Sequence, residues 1–161
     1  MIKHPIDPVW DENSEILILG SFPSVKSREA HFFYGHPQNR FWRVASAVTG
    51  CAVPTTVPEK RAFLLENHIA LWDVIASCDI EGSSDSSIKN VTPNDIGAIL
   101  DGAKIKAVFT NGKTAHNLYQ KYIRPSVGTD DICLPSTSPA NAAWAYERLV
   151  EAWRVIINYI N

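Results

Sequence analysis

The sequence has few cysteines and no long apolar stretch, and these two deficits exclude several classes of protein. Cys51, Cys78 and Cys133 are odd in number and far apart, so they form neither a full disulfide framework nor a C-x-x-C metal-ligand pair. The N-terminal residues lack the apolar core of a secretion signal, and no run approaches the roughly 18 apolar residues of a membrane helix. We therefore expect a cytoplasmic protein with reduced thiols and no membrane segment.

The chain also lacks an excess of charge of either sign. It has 15 Lys and Arg residues against 17 Asp and Glu residues, so any contact with nucleic acid has to come from a local basic face. The chain has 161 residues, of which 45% are apolar, and a chain of this size can bury about 70% of its unfolded surface. We expect one compact domain over residues 1–161 and exclude a disordered chain and a metal-stapled miniature.

Four short apolar runs predict buried strands. They are near-continuous rather than alternating, which is typical of strands covered on both faces. The runs cover residues 16–19, 70–75, 107–109 and 132–134.

Helical signals separate these runs. Pro58 stands in the first turn of a predicted helix over residues 58–66, and Thr92 followed by Pro93 is typical of an N-cap and a first helical residue. In the last predicted helix Ser138 is the cap and Pro139 the first residue. Its apolar stripe consists of Ala145, Leu149, Ala152, Trp153, Ile156 and Ile160.

The alternation of strands and helices predicts an α/β fold, a three-layer α/β/α sandwich with a central, mainly parallel sheet of about four strands. Right-handed crossovers bring the carboxyl ends of all strands to one edge, where such sheets bind ligands. Small polar residues follow the strands at 20–24, Asp73, 110–112 and 135–141. Many chemistries use this edge, so the fold alone does not give the function.

Two proline-containing segments are candidates for the site. Gly20-Ser-Phe-Pro-Ser24, the first proline turn, allows close approach at Gly20 and is stiffened by Pro23, although a turn without a ligand explains it equally. Leu134-Pro-Ser-Thr-Ser-Pro-Ala-Asn141, the second proline loop, offers hydroxyls and a helix start that can hold a phosphate. Ser138 as a plain cap is compatible with that role.

A third segment, Tyr34-Gly-His-Pro-Gln-Asn-Arg-Phe-Trp42, leads into a helix. Its predicted buried stripe consists of Phe41, Trp42, Val44, Ala45 and Val48. Asn39 and Arg40 stand at the start of that helix and face the ligand edge. A structural N-cap role competes with a functional role for Asn39.

Taken together, the three segments resemble the uracil-DNA glycosylase superfamily over nearly the whole chain and in the same order. GSFPS is similar to its first motif and PSTSPAN to its second, and the 34–42 segment resembles its mismatch-specific branch. With residues 73–90 the pattern looks most like the hypoxanthine-DNA glycosylase branch. Many members have Asp or Asn where this chain has Phe22, and uracil-specific members have His where it has Leu134. In the hypoxanthine branch the residue that matches Asn39 carries the catalysis.

The resemblance implies a monofunctional DNA glycosylase that removes hypoxanthine in base excision repair. The alternatives are a mismatch-type uracil-DNA glycosylase and a catalytically silent module that binds nucleotides or nucleic acid. Asn39 would orient the attacking water with its carbonyl oxygen, because an amide is not a strong base. The backbone amides of Ser21 and Phe22 are candidates to stabilise the leaving base. No catalytic lysine is evident, so a Schiff-base route is not predicted.

The target base has to leave the duplex stack before it can react. Tyr34 and Phe22 are candidates to stack on it, although Tyr34 packing under the loop is the plain alternative. Asp73 and Asn111 are candidates to read its polar edge, and Asn-Gly is also a common turn. Alternatively, the polar loop over residues 82–90 lies near the site. The predicted base-binding set is Ser21, Phe22, Pro23, Tyr34, Asp73 and Asn111.

The predicted partner is damaged DNA. Ser136, Thr137, Ser138 and Arg40 are candidates to contact it. Further cations at Lys26, Arg28, Arg43 and Lys113 are either part of that face or simply solvated. We expect a monomer without a cofactor and without a metal, since three cysteines cannot supply the four ligands of an iron-sulfur cluster. Of the five histidines, only His36 is predicted near the chemistry.

Overall fold

The computed structural model describes residues 1–161. The seven strands are β1 (Ile2–Lys3), β2 (Ile16–Gly20), β3 (Ile69–Asp73), β4 (Ile75–Asp79), β5 (Lys89–Pro93), β6 (Ala107–Asn111) and β7 (Asp131–Leu134). The seven α-helices are α1 (Val25–Ala30), α2 (Phe41–Thr49), α3 (Val57–Glu66), α4 (Ile96–Gly102), α5 (Lys113–Tyr122), α6 (Arg124–Val127) and α7 (Tyr146–Trp153). Three 3-10 helices cover Asp85–Ser87, Pro139–Asn141 and Arg154–Tyr159.

A parallel sheet of four strands in the order β3-β2-β6-β7 forms the middle layer, as the sequence predicts. All five residues of β2 are buried. Gly20 is paired in register with Asp73, and Asn111 with Leu134. Because the strands are parallel, these residues meet at the carboxyl edge of the sheet.

Two hydrophobic cores lie on opposite faces of this sheet. Ile16 and Ile18 pack into one core with residues of α2, α3 and α7. Leu17 and Leu19 pack into the other with residues of α4, α5 and the second sheet. Each such fully buried aliphatic side chain contributes about 1.5–3 kcal/mol of hydrophobic free energy. The predicted three-layer α/β/α architecture is confirmed.

The apolar run over residues 70–75 is two strands, which corrects the prediction of one. After Asp73 the chain turns, and β4 leaves the parallel sheet to pair antiparallel with β1 and β5 in a second sheet that the sequence did not predict. The Asn94 side-chain amide secures the corner, since Nδ2 donates to the carbonyls of Asp73 at 2.9 Å and Ile75 at 3.1 Å.

The predicted helix start at Thr92 and Pro93 is also wrong, because both residues belong to β5. This strand is at the edge of the second sheet. A proline is tolerated there because no further strand needs a hydrogen bond from its backbone nitrogen. Helix α4 begins at Ile96 instead, and the Asp95 side chain caps it by accepting from the Ala98 amide.

The last helix begins later than predicted, at Tyr146. Ser138 caps only the short 3-10 helix Pro139–Asn141, where its hydroxyl accepts from the Ala140 amide at 3.2 Å. Of the predicted stripe, Leu149, Trp153 and Ile156 are buried and Ala145 is exposed. The predicted helix around Pro58 is confirmed as α3, which starts with a capping box.

The fold contains no membrane-spanning helix, no disulfide and no cluster of metal ligands. No helix combines the length and apolarity needed to cross a bilayer. All three cysteines are free, and no three His, Cys, Asp or Glu side chains converge on a point that would hold a metal ion.

Candidate active site

A cavity of about 520 Å³, the central cavity, opens at the carboxyl edge of the parallel sheet. Residues of the first proline turn, residues of the second proline loop and Asn39 all line it. The predicted catalytic and base-binding residues that line it are Ser21, Phe22, Pro23, Tyr34, Asn39, Asp73 and Asn111. The tertiary structure therefore brings these seven side chains into one space, although their roles stay predictions.

Asp73 is a buried carboxylate held by a histidine from the N-terminal segment. His4 Nε2 lies 2.7 Å from Asp73 Oδ2, and the two side chains are 4% and 5% exposed. His4 Nδ1 accepts from the Ile6 amide at 3.1 Å, so Nε2 carries the hydrogen and donates it to the carboxylate. The sequence predicts only His36 near the chemistry, and His36 also lines the central cavity. His4 was missed because 69 residues separate it from its partner and no local pattern marks it.

Gly20 leaves room for this carboxylate. A Cβ atom on Gly20 would lie 2.4 Å from Asp73 Oδ1 and 3.2 Å from the Tyr34 hydroxyl. The sequence predicted close approach at this glycine, and the group that approaches is a side chain of the protein itself.

Tyr34 has a buried hydroxyl without a hydrogen-bond partner. Burial raises the pKa of this phenol, and the nearby Asp73 carboxylate raises it further, so the hydroxyl keeps its hydrogen. The ring stacks on Phe41 with centroids 4.2 Å apart, and the backbone has a left-handed φ of 53°. A non-glycine residue in this conformation costs on the order of 1 kcal/mol, so the surrounding packing holds the donor at the cavity.

Asn39 combines a helix-end contact with exposure to the cavity. Its Oδ1 accepts from the Phe41 amide at 2.9 Å at the start of α2, and its side chain makes no other hydrogen bond. A carbonyl oxygen has two acceptor positions, so the second one and the Nδ2 hydrogens are available to a ligand. The N-cap residue of α2 is Arg40, so Asn39 makes a turn contact just before the helix and does not have the N-cap role that the sequence offered as an alternative. This contact and the catalytic role are geometrically compatible.

Asn111 ties the end of β6 to the second proline loop. Its Nδ2 donates to Thr137 Oγ1 at 3.0 Å, and its Oδ1 accepts from the Thr137 amide at 3.0 Å. One donor and one acceptor position of Asn111 are left for a base. The Thr137 side chain is fully buried, so we replace its predicted contact with DNA by this loop-positioning role.

Arg40 also holds the second proline loop from within. Its guanidinium donates to the carbonyls of Trp144 at 2.5 Å and Asn141 at 3.2 Å, and its amide donates to the Thr137 carbonyl at 3.1 Å. Arg40 does not line the central cavity. Two of the five guanidinium N–H groups are used in these contacts, and the predicted contact of Arg40 with DNA stays a prediction.

A groove of about 460 Å³, the adjoining groove, runs beside the central cavity. Ser136 and Ser138 line both spaces, and the exposed Lys113 lines the groove. The two serine oxygens accept from backbone amides, Ser136 from the Ser138 amide at 3.1 Å. Their hydroxyl hydrogens are free to donate to an anion. Of the other predicted cations, Arg28 binds the Gly82 carbonyl and stacks on Phe22, and Lys26 faces Glu29.

The polar loop between β4 and β5 covers part of the central cavity, a position that the sequence left open. Residues 83–86 line it, whereas Asn90 pairs with Asp79 on β4. Asp85 Oδ1 accepts from Ser21 Oγ at 3.3 Å. Desolvation raises the pKa of the Asp85 carboxyl, and the Asp73 carboxylate raises it further, against hydrogen bonds from Ser21 and Thr114 that lower it.

Comparison with known proteins agrees with the sequence resemblance. The model of the uracil DNA glycosylase superfamily matches residues 8–157. A protein of Methanosarcina acetivorans named hypoxanthine DNA glycosylase is 36% identical over 99% of this chain and 100% of its own length. A protein of the same name from Methanosarcina barkeri is 38% identical over 88% of this chain and 89% of its own.

Solved structures give the same result for the fold. A solution NMR structure from Methanosarcina acetivorans, described as a candidate uracil DNA glycosylase, superposes with a TM-score of 0.80 at 33% identity. The superposition covers 98% of this chain and 99% of the other. A match that extends over nearly the whole chain confirms the family that the motifs indicated, and this protein belongs to the uracil DNA glycosylase superfamily.

Proposed function

We propose that the protein is a monofunctional DNA glycosylase that hydrolyses the N-glycosidic bond of hypoxanthine in DNA, as a step of base excision repair in the cytoplasm. The observation that carries this proposal is that Asn39 lines the same cavity as the two proline-containing segments. The names of the two Methanosarcina relatives support hypoxanthine as the substrate.

The base has to rotate out of the duplex to enter the central cavity. Unpairing costs a few kcal/mol and costs least for damaged or mispaired bases, which gives part of the selectivity. Phe41 covers one face of the Tyr34 ring. The base therefore packs between the other face of Tyr34 and the Phe22 ring, which both line the central cavity. Both aromatic rings would also help to keep water away from the reacting bond.

Tyr34 and Asp73 form a donor and acceptor pair that suits hypoxanthine. The Tyr34 hydroxyl donates to the O6 carbonyl of the base, and the Asp73 carboxylate accepts from N1–H. Adenine has a lone pair at N1, which the carboxylate repels, and an unmatched buried polar group costs about 1–3 kcal/mol. Uracil offers a similar carbonyl and N–H edge, so the choice between the two deaminated bases rests on cavity size and stacking.

The reaction passes through a sugar with positive oxocarbenium character and a departing base that gains negative charge. Asn39 Oδ1 orients a water molecule toward C1′ with the acceptor position that Phe41 does not use. Backbone amides at Ser21 and Phe22 stabilise the departing base. No lysine lines the central cavity, so the protein leaves an abasic site and does not cut the strand through a Schiff base.

The adjoining groove is the path of the DNA backbone. Ser136 and Ser138 donate to a phosphate near the target nucleotide, and Lys113 adds a positive charge. One chain supplies every group in this scheme, so we propose that a monomer is sufficient. Lys113 is the one cation that lines the groove, so the groove by itself gives only a shallow dependence of DNA binding on salt.

The test uses duplex oligonucleotides that contain one inosine or one uracil, with an undamaged duplex as the control. After incubation with the protein, alkali cleaves at abasic sites and gel electrophoresis measures the product. We expect cleavage at inosine. Cleavage only at uracil makes the protein a uracil-DNA glycosylase, and no cleavage with either duplex makes it a binding module; each result overturns the proposal.

A further inference from the structure

Asp85 approaches the first proline turn from a loop 64 residues away in sequence. The loop is fixed to α1 by two contacts, in which Ser83 Oγ accepts from the Val25 amide at 2.9 Å and the Arg28 guanidinium donates to the Gly82 carbonyl at 2.5 Å. These contacts explain why a loop rich in serine has a defined position over the cavity. They place the Asp85 carboxylate against Ser21.

Asp85 stands at the boundary between the central cavity and the adjoining groove. Five residues line both spaces, and Asp85 is the only one of them with a carboxylate. In the proposed function the base occupies the central cavity and the phosphates follow the groove. The deoxyribose that joins base to phosphate has to cross the boundary, so its C1′ atom passes close to this carboxylate.

We propose that Asp85 is a second catalytic residue, whose carboxylate stabilises the positive charge on the sugar and accepts a proton from the water that attacks C1′. This inference rests on the proposed function.

The chemistry balances with water as the sole co-reactant. The C1′–N9 bond breaks and its electron pair leaves with the base, while a lone pair of the water oxygen forms the C1′–O bond. One water proton passes to the Asp85 carboxylate, and the departing base takes up a proton, so that Asp85 is regenerated as the carboxylate. Asn39 positions the water and Asp85 receives the proton that an amide cannot accept.

The surroundings of Asp85 suit a proton acceptor. The ionisable side chains that line the two spaces with it are Tyr34, His36 and Asp73 in the central cavity and Lys113 and Cys133 in the groove, and its hydrogen-bonding neighbours are Ser21 and Thr114. Asp85 is exposed to solvent as a residue. Partial desolvation of its carboxyl and the Asp73 charge raise the pKa of Asp85, which makes it a stronger base than an ordinary aspartate.

The test compares Asp85→Asn with the parent protein in single-turnover excision of hypoxanthine from a duplex. We expect the excision rate to fall about 100-fold, which is the usual contribution of one general base. Binding to a duplex with a non-hydrolysable 2′-fluoro nucleotide is expected to be unchanged or tighter, because a negative charge near the phosphates is lost. Glu81→Gln is the matched control, since it makes the same change in an exposed residue of the same loop outside both cavities.

A pH profile separates a proton acceptor from a residue that only shapes the loop. The parent rate is expected to fall at acid pH as Asp85 takes up a proton, and Asp85→Asn removes that part of the profile. An active parent with an equally active Asp85→Asn variant, or with an unchanged acid limb, overturns the role of Asp85 alone. A parent that excises neither hypoxanthine nor uracil overturns the proposed function and this inference together.

Discussion

His4 donates a hydrogen bond from Nε2 to Asp73 Oδ2 over 2.7 Å, inside the protein and beneath the central cavity. The Ile6 amide fixes the tautomer that makes this donation possible. The contact orients Asp73 so that Oδ1 faces Gly20. His4, near the start of the chain, thus sets the orientation of the Asp73 carboxylate at the candidate site.

Removal of the histidine leaves the buried carboxylate without its donor. We expect His4→Ala to lower the free energy of unfolding by about 2–3 kcal/mol, the range of a buried hydrogen bond to a charged group. Urea denaturation measures the change. In an Asp73→Asn background the same substitution should cost clearly less, and an equal cost in both backgrounds would show that the two side chains do not interact.

The Tyr34 hydroxyl has no hydrogen-bond partner within the fold, which suits the proposed contact with the base. Tyr34→Phe removes a buried polar group that has no partner, so we expect stability to stay equal or to rise by up to about 1 kcal/mol. Excision of hypoxanthine should slow by about 10-fold because a donor to the base is lost. Thermal unfolding and single-turnover rates check both parts, and a clear loss of stability would contradict this assignment.

Gly20 has to be glycine because of the carboxylate beside it. An alanine there would place Cβ 2.4 Å from Asp73 Oδ1, so the strand or the acid has to move. We expect Gly20→Ala to cost about 1–3 kcal/mol of stability and to reduce excision. Gly97→Ala is the matched control, because its nearest contact would be 3.4 Å and its helical position favours alanine. Similar losses for both substitutions would refute the steric explanation.

One substitution separates the turn contact of Asn39 from its proposed catalytic role. Asn39→Ala loses the bond to the Phe41 amide, which costs about 1 kcal/mol, similar to the loss of a side-chain bond at a helix start. We expect hypoxanthine excision to fall by about 100-fold or more, far beyond the effect of that instability at a temperature where the variant is folded. Circular dichroism verifies folding. Excision at the parental rate would limit Asn39 to the turn contact.

Arg40 and Lys113 are both cationic but differ in the groups they contact. Arg40 binds loop carbonyls, so Arg40→Ala should weaken DNA binding without changing its salt dependence. Lys113→Ala should lower the slope of log K against log[salt] by about 1, because one phosphate contact is lost. Arg43→Ala, an exposed cation outside both cavities, is the control for nonspecific charge effects. An unchanged slope in Lys113→Ala would remove Lys113 from the DNA contacts.

Local sequence determined the elements whose signals lie within a few residues. The apolar runs of β2 and β6, the buried stripe of α2 and the proline at the start of α3 predicted the correct elements, because burial periodicity and first-turn chemistry are local. The run of β7 predicted a strand correctly but its burial wrongly, because β7 is at the edge of the sheet and only Leu134 is buried. The helix starts predicted at Thr92-Pro93 and Ser138-Pro139 were wrong for a related reason. A cap followed by proline is also compatible with an edge strand and with a 3-10 turn, and only the neighbouring elements select among them.

The sequence by itself determined the family, the parallel sheet and the edge that carries the candidate site, since these follow from motif order and strand periodicity. Tertiary structure alone decided the partners within that site. It set His4 under Asp73, Thr137 against Asn111, and Asp85 against Ser21, pairs separated by 69, 26 and 64 residues. The physical reason is that a hydrogen bond depends on the distance between two atoms in space, and no pattern within either segment encodes that distance.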